Sequence, residues 1–290
     1  MSSSLLPIAL CLFSAVTVAA TNMFVKRSGD VLSTRMIVSI AMALSVLPFA
    51  PFIAPPTPLL WQALAVSVVV HWIYQFAMIR ALHRGDLSLV FPVMRGLAPL
   101  LTAIMATFLL AETTSPIGWF GLCLATLALI VFALPESQEA DAHLKLRQSA
   151  LIWAMLTAVG IAAYSVVDAR GSRIAAESGG VMTFIVWLFL LDWLGITTAL
   201  IVTRRGKVWA TIRPHLKDGA IGGFIGTLSY GAALWAFTLS EAANVTAIRE
   251  TSVVFGAVFG ALFLKESFGR RRILAATVLA FGLMLLEFAP

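Results

Sequence analysis

An internal repeat inside apolar sequence constrains this chain more than any other feature. Pro92-Val93-Met94-Arg95, closing on Leu110-Ala111-Glu112, returns as Ala247-Ile248-Arg249, closing on Leu264-Lys265-Glu266. Each copy places a glutamate seventeen positions after an arginine, 95 to 112 and 249 to 266. The helix that opens each half recurs as well: Ser14-Ala15-Val16-Thr17-Val18-Ala19-Ala20-Thr21-Asn22 matches Thr157-Ala158-Val159-Gly160-Ile161-Ala162-Ala163-Tyr164-Ser165. Two related halves with an odd number of membrane spans lie in opposite orientations in the bilayer, which is the build of many secondary transporters.

Ten apolar runs approach the roughly 20 residues needed to cross a hydrocarbon core of about 30 Å. They cover 5–25, 33–53, 60–82, 87–110, 116–134, 149–170, 180–203, 218–239, 242–264 and 270–288. Lipid leaves no partner for an unpaired backbone group, so an all-α integral membrane fold follows. The expected architecture is ten transmembrane helices, arranged as two inverted five-helix repeats around a central cavity. The repeats are 1–134 and 149–290, with the polar stretch 135–148 as linker. Glycines at small-xxx-small spacing in the eighth and ninth spans, Gly222 to Gly226 and Gly256 to Gly260, read mainly as close helix packing.

With 60% hydrophobic and 12% charged residues, the chain is far from a soluble domain. Its net charge of +6 does not signal nucleic-acid binding, because the cations sit in short clusters between apolar runs. The links after odd-numbered spans hold clusters such as Lys26-Arg27, Arg204-Arg205-Gly206-Lys207 and Arg270-Arg271-Arg272. The opposite side carries only Arg170 and Arg173. The positive-inside rule then places both termini outside the cytoplasm. The first apolar run has no basic residue before it and has a repeat partner deep in the chain, so it reads as a mature span and not a secretory signal. Cys11 and Cys123 both fall in spans, which argues against a disulfide framework.

Charges inside spans are costly and mark cavities or partners. Arg95 and Arg249 read as polar poles of a substrate pathway, offering a planar donor fork to a carboxylate. The alternative is a structural ion pair with Glu250 or Asp192. Glu250 is one position from Arg249, about 100° around the helix, so one of the two binds substrate while the other holds a neighbouring helix. Pro92 and Pro99 bracket Arg95-Gly96 and suggest a broken helix, as a gate or as a packing kink. The third span carries His71, Tyr74, Gln75 and Met78 on one stripe, a candidate wet lining. Tyr164, Tyr230, Trp235 and Ser252 join them as candidate binding residues. Asp192, in mid-span, and Asp168, which is expected to reach the interface, are candidate proton sites. Trp61, Trp119 and Trp209 fit interfacial anchors. Glu112 and Glu266 are expected to contact backbone amides of the helix that follows each.

The five-plus-five layout, the proline-rich start of the fourth span and the Leu-x-Glu closures resemble the EamA-type branch of the drug/metabolite transporter superfamily. Ile248-Arg249-Glu250-Thr251-Ser252 followed by Leu264-Lys265-Glu266 is similar to a bacterial subgroup of it, with the YddG-type amino-acid exporters as the nearest type. The resemblance implies a bacterial inner-membrane exporter of small metabolites, with a cavity lined mainly by spans 1, 3, 4, 6, 8 and 9. Many members have basic cytoplasmic N-termini, and this chain reverses that pattern. The first span also lacks the acidic residue on which the small four-helix multidrug relatives depend, so their proton–drug exchange does not carry over.

Other classes remain open at this level: a transporter of drugs, organic cations or other metabolites, a membrane scaffold, or an intramembrane enzyme. No Ser/His, HExxH or paired-carboxylate arrangement supports an enzyme, and no GxxxxGK[ST] loop supports ATP as the energy source. No cofactor or metal is implied. The expected partners are a small-molecule substrate and the lipid bilayer, with a monomer as the working unit.

Overall fold

The computed structural model describes residues 5–84, 87–133, 144–264 and 270–288. Within them the chain is helical: α1 Leu6–Ser28, α2 Val31–Val46, α3 Pro58–Leu82, α4 Leu87–Gly96, α5 Ala98–Leu109, α6 Pro116–Ala133, α7 Leu144–Ser178, α8 Val181–Arg204, α9 Val208–Ile212, α10 Leu216–Ala236, α11 Ala242–Glu250, α12 Ser252–Leu264 and α13 Arg270–Phe288. Short 3₁₀ turns follow α2 at Leu47–Phe52 and α9 at Arg213–His215. α1, α2 with its 3₁₀ extension, α3, α7 and α8 are long and apolar enough to cross a membrane. Val93–Leu109 and Pro116–Phe132 are shorter apolar helices. The fourth and ninth spans are each split in two, into α4 and α5 and into α11 and α12.

The helices form two compact units, Met1–Trp72 with Val167–Leu239, and Ile73–Val166 with Ser240–Pro290. The boundary between them falls inside α3 and inside α7. In the first unit α10 packs on α1 and α2, and α2 packs on α8. Small residues permit the α2–α10 approach: a Cβ on Gly223 would run into the Val38 carbonyl oxygen and the Ala41 methyl. In the second unit α6 lies along α13, with Gly121 and Gly282 so close that either Cβ would strike the other's backbone. Gly256, expected to serve the same purpose in α12, meets nothing within 4 Å.

Two further expectations change. Hydropathy places the sixth span at 149–170, but α7 runs 35 residues to Ser178, about 52 Å at ~1.5 Å per residue. Nothing from Gly171 to Ser178 breaks a helix strongly, and the stop comes at Gly179-Gly180, where φ is +155° and +103°. Arg170 and Arg173 therefore lie on a helix and not in a link. Arg173 Nε donates to the Phe237 carbonyl at 3.0 Å, tying the end of α7 to the end of α10. Glu112 reaches forward to a more distant helix than expected: its Oε2 accepts from the Ala242 amide at 2.9 Å, at the N-terminus of α11. A carboxylate there meets unsatisfied amides and the positive end of the helix dipole. Glu266 and most of the 135–148 linker lie outside the described residues.

Candidate functional site

In the second unit the two repeat-related arginines occupy equivalent places. Arg95 is the penultimate residue of α4 and Arg249 the penultimate residue of α11. Each helix then breaks. α4 stops at Gly96, and α5 restarts at Ala98 with Pro99 in its first turn. Pro99 has no N–H to give the Arg95 carbonyl four residues earlier. The second break has no proline: at Thr251 the backbone tightens, its N–H bonding to Ile248 O at 3.1 Å, while Val254 N bonds to Thr251 O at 2.9 Å. Both arginines thus sit at the C-terminal end of a half-helix, where the dipole favours a cation. The first break was legible from Pro99; the second follows only from the repeat. Pro92 falls inside α4, and Gly96 lies where a Cβ would press on Ile130 of α6.

Arg95 Nη1 donates to Glu250 Oε1 at 3.0 Å, with the two side chains 14% and 3% exposed. Glu250 Oε2 is buried and has no hydrogen-bond partner among the described residues. Glu250 thus ties α11 to α4. Tyr74 of α3 and Tyr164 of α7 stack edge to face, with centroids 5.0 Å apart. The Tyr74 hydroxyl donates to Met78 Sδ at 3.4 Å. Tyr164 is close enough to Arg95, Arg249 and Glu250 to interact electrostatically with all three. Gly160 leaves room for this arrangement, because a Cβ there would lie 3.0 Å from that of Tyr74. Gln75, Met78 and Ser252 are buried.

In the first unit His71, Asp168, Asp192 and Tyr230 come together from α3, α7, α8 and α10. His71 Nε2 is 2.9 Å from Asp168 Oδ2, and Nδ1 is 3.7 Å from Asp192 Oδ1. The Ser67 hydroxyl donates to Asp168 Oδ1 and the Tyr230 hydroxyl to Oδ2. The His71 and Tyr230 rings meet edge to face at 5.8 Å. Asp168, expected to reach the interface, is wholly buried: two hydroxyls and the His71 ring engage its oxygens, and the continuation of α7 to Ser178 puts it ten residues from the helix end. Asp192 lies opposite because Trp72 locks α3 to α8. The indole donates to the Asp192 carbonyl at 3.1 Å and packs where a Cβ on Gly195 would stand. Sequence reading passed over Ser67, although it sits four residues before His71 on the same helical stripe. Trp235, also a candidate, is exposed and outside both clusters.

The model of the EamA-like transporter family matches residues 5–134 and again 148–288. A solved structure titled only as the crystal structure of a protein superposes with a TM-score of 0.77 at 17% identity, covering 99% of this chain and 100% of its own. That likeness concerns the fold. No curated protein matches the chain.

Proposed function

The chain belongs to the EamA-like transporter family, membrane transporters of small molecules, and on that premise we propose that it exports amino acids or related zwitterions across the bacterial inner membrane by alternating access. In this reading the repeats 1–134 and 149–290, inverted and joined by 135–148, carry the alternation.

The observation that carries the cargo class is Glu250. One of its oxygens holds Arg95, and the other, Oε2, is buried without a partner. A buried acceptor left open costs roughly 1–3 kcal/mol, and an ammonium group would fill it. A zwitterion brings that ammonium together with a carboxylate, for which Arg249 offers a bidentate fork. Ammonium to Glu250 and carboxylate to arginine leave the total charge of the site unchanged, so binding buries no uncompensated charge. The Tyr74–Tyr164 pair then supplies an aromatic surface with polar tips for the rest of the molecule. Gln75, Met78 and Ser252 complete the lining, and the breaks after Gly96 and Glu250 provide the backbone give that gating requires.

Counterflow in proteoliposomes tests this, with purified protein and a panel of radiolabelled L-amino acids. We expect accumulation of a subset, falling about tenfold or more in Arg249→Ala, the loss of one charge-assisted contact. If a folded protein accumulates no amino acid, the cargo assignment is wrong.

A further inference from the structure

We infer that His71, held between Asp168 and Asp192, is a proton-binding site, loaded at Nδ1 from the Asp192 side. That its occupancy drives export rests on the transport reading above; the proton site itself does not.

The argument starts from hydrogen-bond inventory. The two Asp168 oxygens receive the hydroxyls of Ser67 and Tyr230 and face Nε2 of His71 at 2.9 Å. A carboxylate is an acceptor, so Nε2 carries a hydrogen and donates. In neutral imidazole that assigns the only ring hydrogen, and Nδ1 is then an acceptor. Nδ1, however, faces a second carboxyl oxygen, Asp192 Oδ1, at 3.7 Å. Two acceptors confront each other unless a proton lies between them. Adding one turns a lone-pair repulsion into an ion pair and lowers the net negative charge of a buried group, where charge is poorly screened.

Exposure gives the proton a route. The Asp168 side chain is 0% exposed, His71 10% and Asp192 20%, so the cluster opens to its surroundings on the Asp192 side. Asp168 is the positioning residue: it fixes the ring and its tautomer from the dry side. Among the described residues the imidazole faces Asp168 from α7, Asp192 from α8 and Tyr230 from α10, and Ser67 from its own helix holds the far oxygen of Asp168. Among the described residues no group of three or more such side chains is disposed to hold a metal ion. Because α3, α7, α8 and α10 all contribute, a shift of any one changes the Nδ1–Asp192 approach. Proton occupancy and helix arrangement therefore bias each other.

Nitrogen-15 NMR of the full-length protein, labelled at histidine only, tests the site. Four histidines give few signals, and the His71 signal is the one lost in His71→Gln. We expect His71 to pass from the Nε2–H tautomer to the doubly protonated ring between pH about 5 and 8. Asp192→Asn should move that change by about tenfold in proton concentration. A His71 that keeps one protonation state from pH 5 to 9, or a change indifferent to Asp192→Asn, overturns the site. Proteoliposomes separate the two readings. Wild-type counterflow that ignores an imposed pH gradient overturns the coupling and leaves the transport reading standing. Absent counterflow overturns the transport reading, and the imidazole signals then decide the proton site alone.

Discussion

Removing one partner from the Arg95–Glu250 pair leaves the other as an uncompensated charge in a largely dehydrated setting. Such a loss costs about 3–5 kcal/mol, whereas replacing both partners by apolar groups of similar volume is often neutral. Arg95→Met is accordingly expected to lower the thermal midpoint of the detergent-purified protein markedly, and Arg95→Met with Glu250→Leu to recover most of the loss. A double variant no more stable than the single one would show that the pair does more than balance charge. The residues of this cluster were partly legible from sequence. Arg95 and Arg249 stand out because charge is rare in spans and because they repeat, and Glu250 stood beside them as a candidate partner. Asp168 was misjudged, because span prediction ended its helix two residues later, while the three donors that hold it come from helices far away in sequence. Hydrophobicity reports which residues are dry; it does not report which distant hydroxyl will point at a carboxylate.

Helix ends carry the next scale of specificity. Asp30 caps α2, accepting from the Ser33 amide at 3.2 Å and the Ser33 hydroxyl at 2.8 Å, and it also receives Arg204 from the last turn of α8 at 2.9 Å. Partial burial pushes its carboxyl up, but the Ser33 hydrogen bonds and the Arg204 and His215 charges outweigh it, so the group sits below its ordinary value of 3.8. A depressed acid stabilises the fold above its unfolded value, and that contribution disappears as pH falls through the folded one. Asp30→Ala should cost about 1 kcal/mol near neutrality, as loss of a cap does. The gap in thermal midpoint between variant and wild type should close below pH 3.8; a gap that persists in acid would assign the effect to packing. Boundaries of this kind were the least legible part of the fold. The proline at 99 announced the break between α4 and α5, but Thr251 interrupts the ninth span with ordinary residues and a tightened hydrogen bond. The length of α7 was hidden because hydropathy falls after Arg170 while helix propensity does not.

At the scale of the whole molecule, the cations carry the expectation of orientation. The ten-span layout was legible because lipid imposes a length and a composition on every crossing element, and the family model matches both repeats across the chain. Charge bias adds a direction that packing alone does not supply. The clusters Lys26-Arg27 and Arg204-Arg205-Gly206-Lys207 follow the first and seventh spans, both odd-numbered, so in the ten-span layout they share one side. By the positive-inside rule that side is expected to be cytoplasmic. Arg170 and Arg173, which opposed it in the count, weigh less once they lie on α7. Arg173 is held by its bond to the Phe237 carbonyl and not by a free link. Reporter fusions check the orientation directly. Alkaline phosphatase, active only outside the cytoplasm, should be active when joined at the C-terminus or after Ser178. A fluorescent protein that folds only in the cytoplasm should light up when joined after Lys207. The reverse pattern at all three points would invert the molecule and make the same gradient drive the opposite direction of transport. A mixed pattern would mean that one of the broken spans, 87–110 or 242–264, enters the membrane without crossing it.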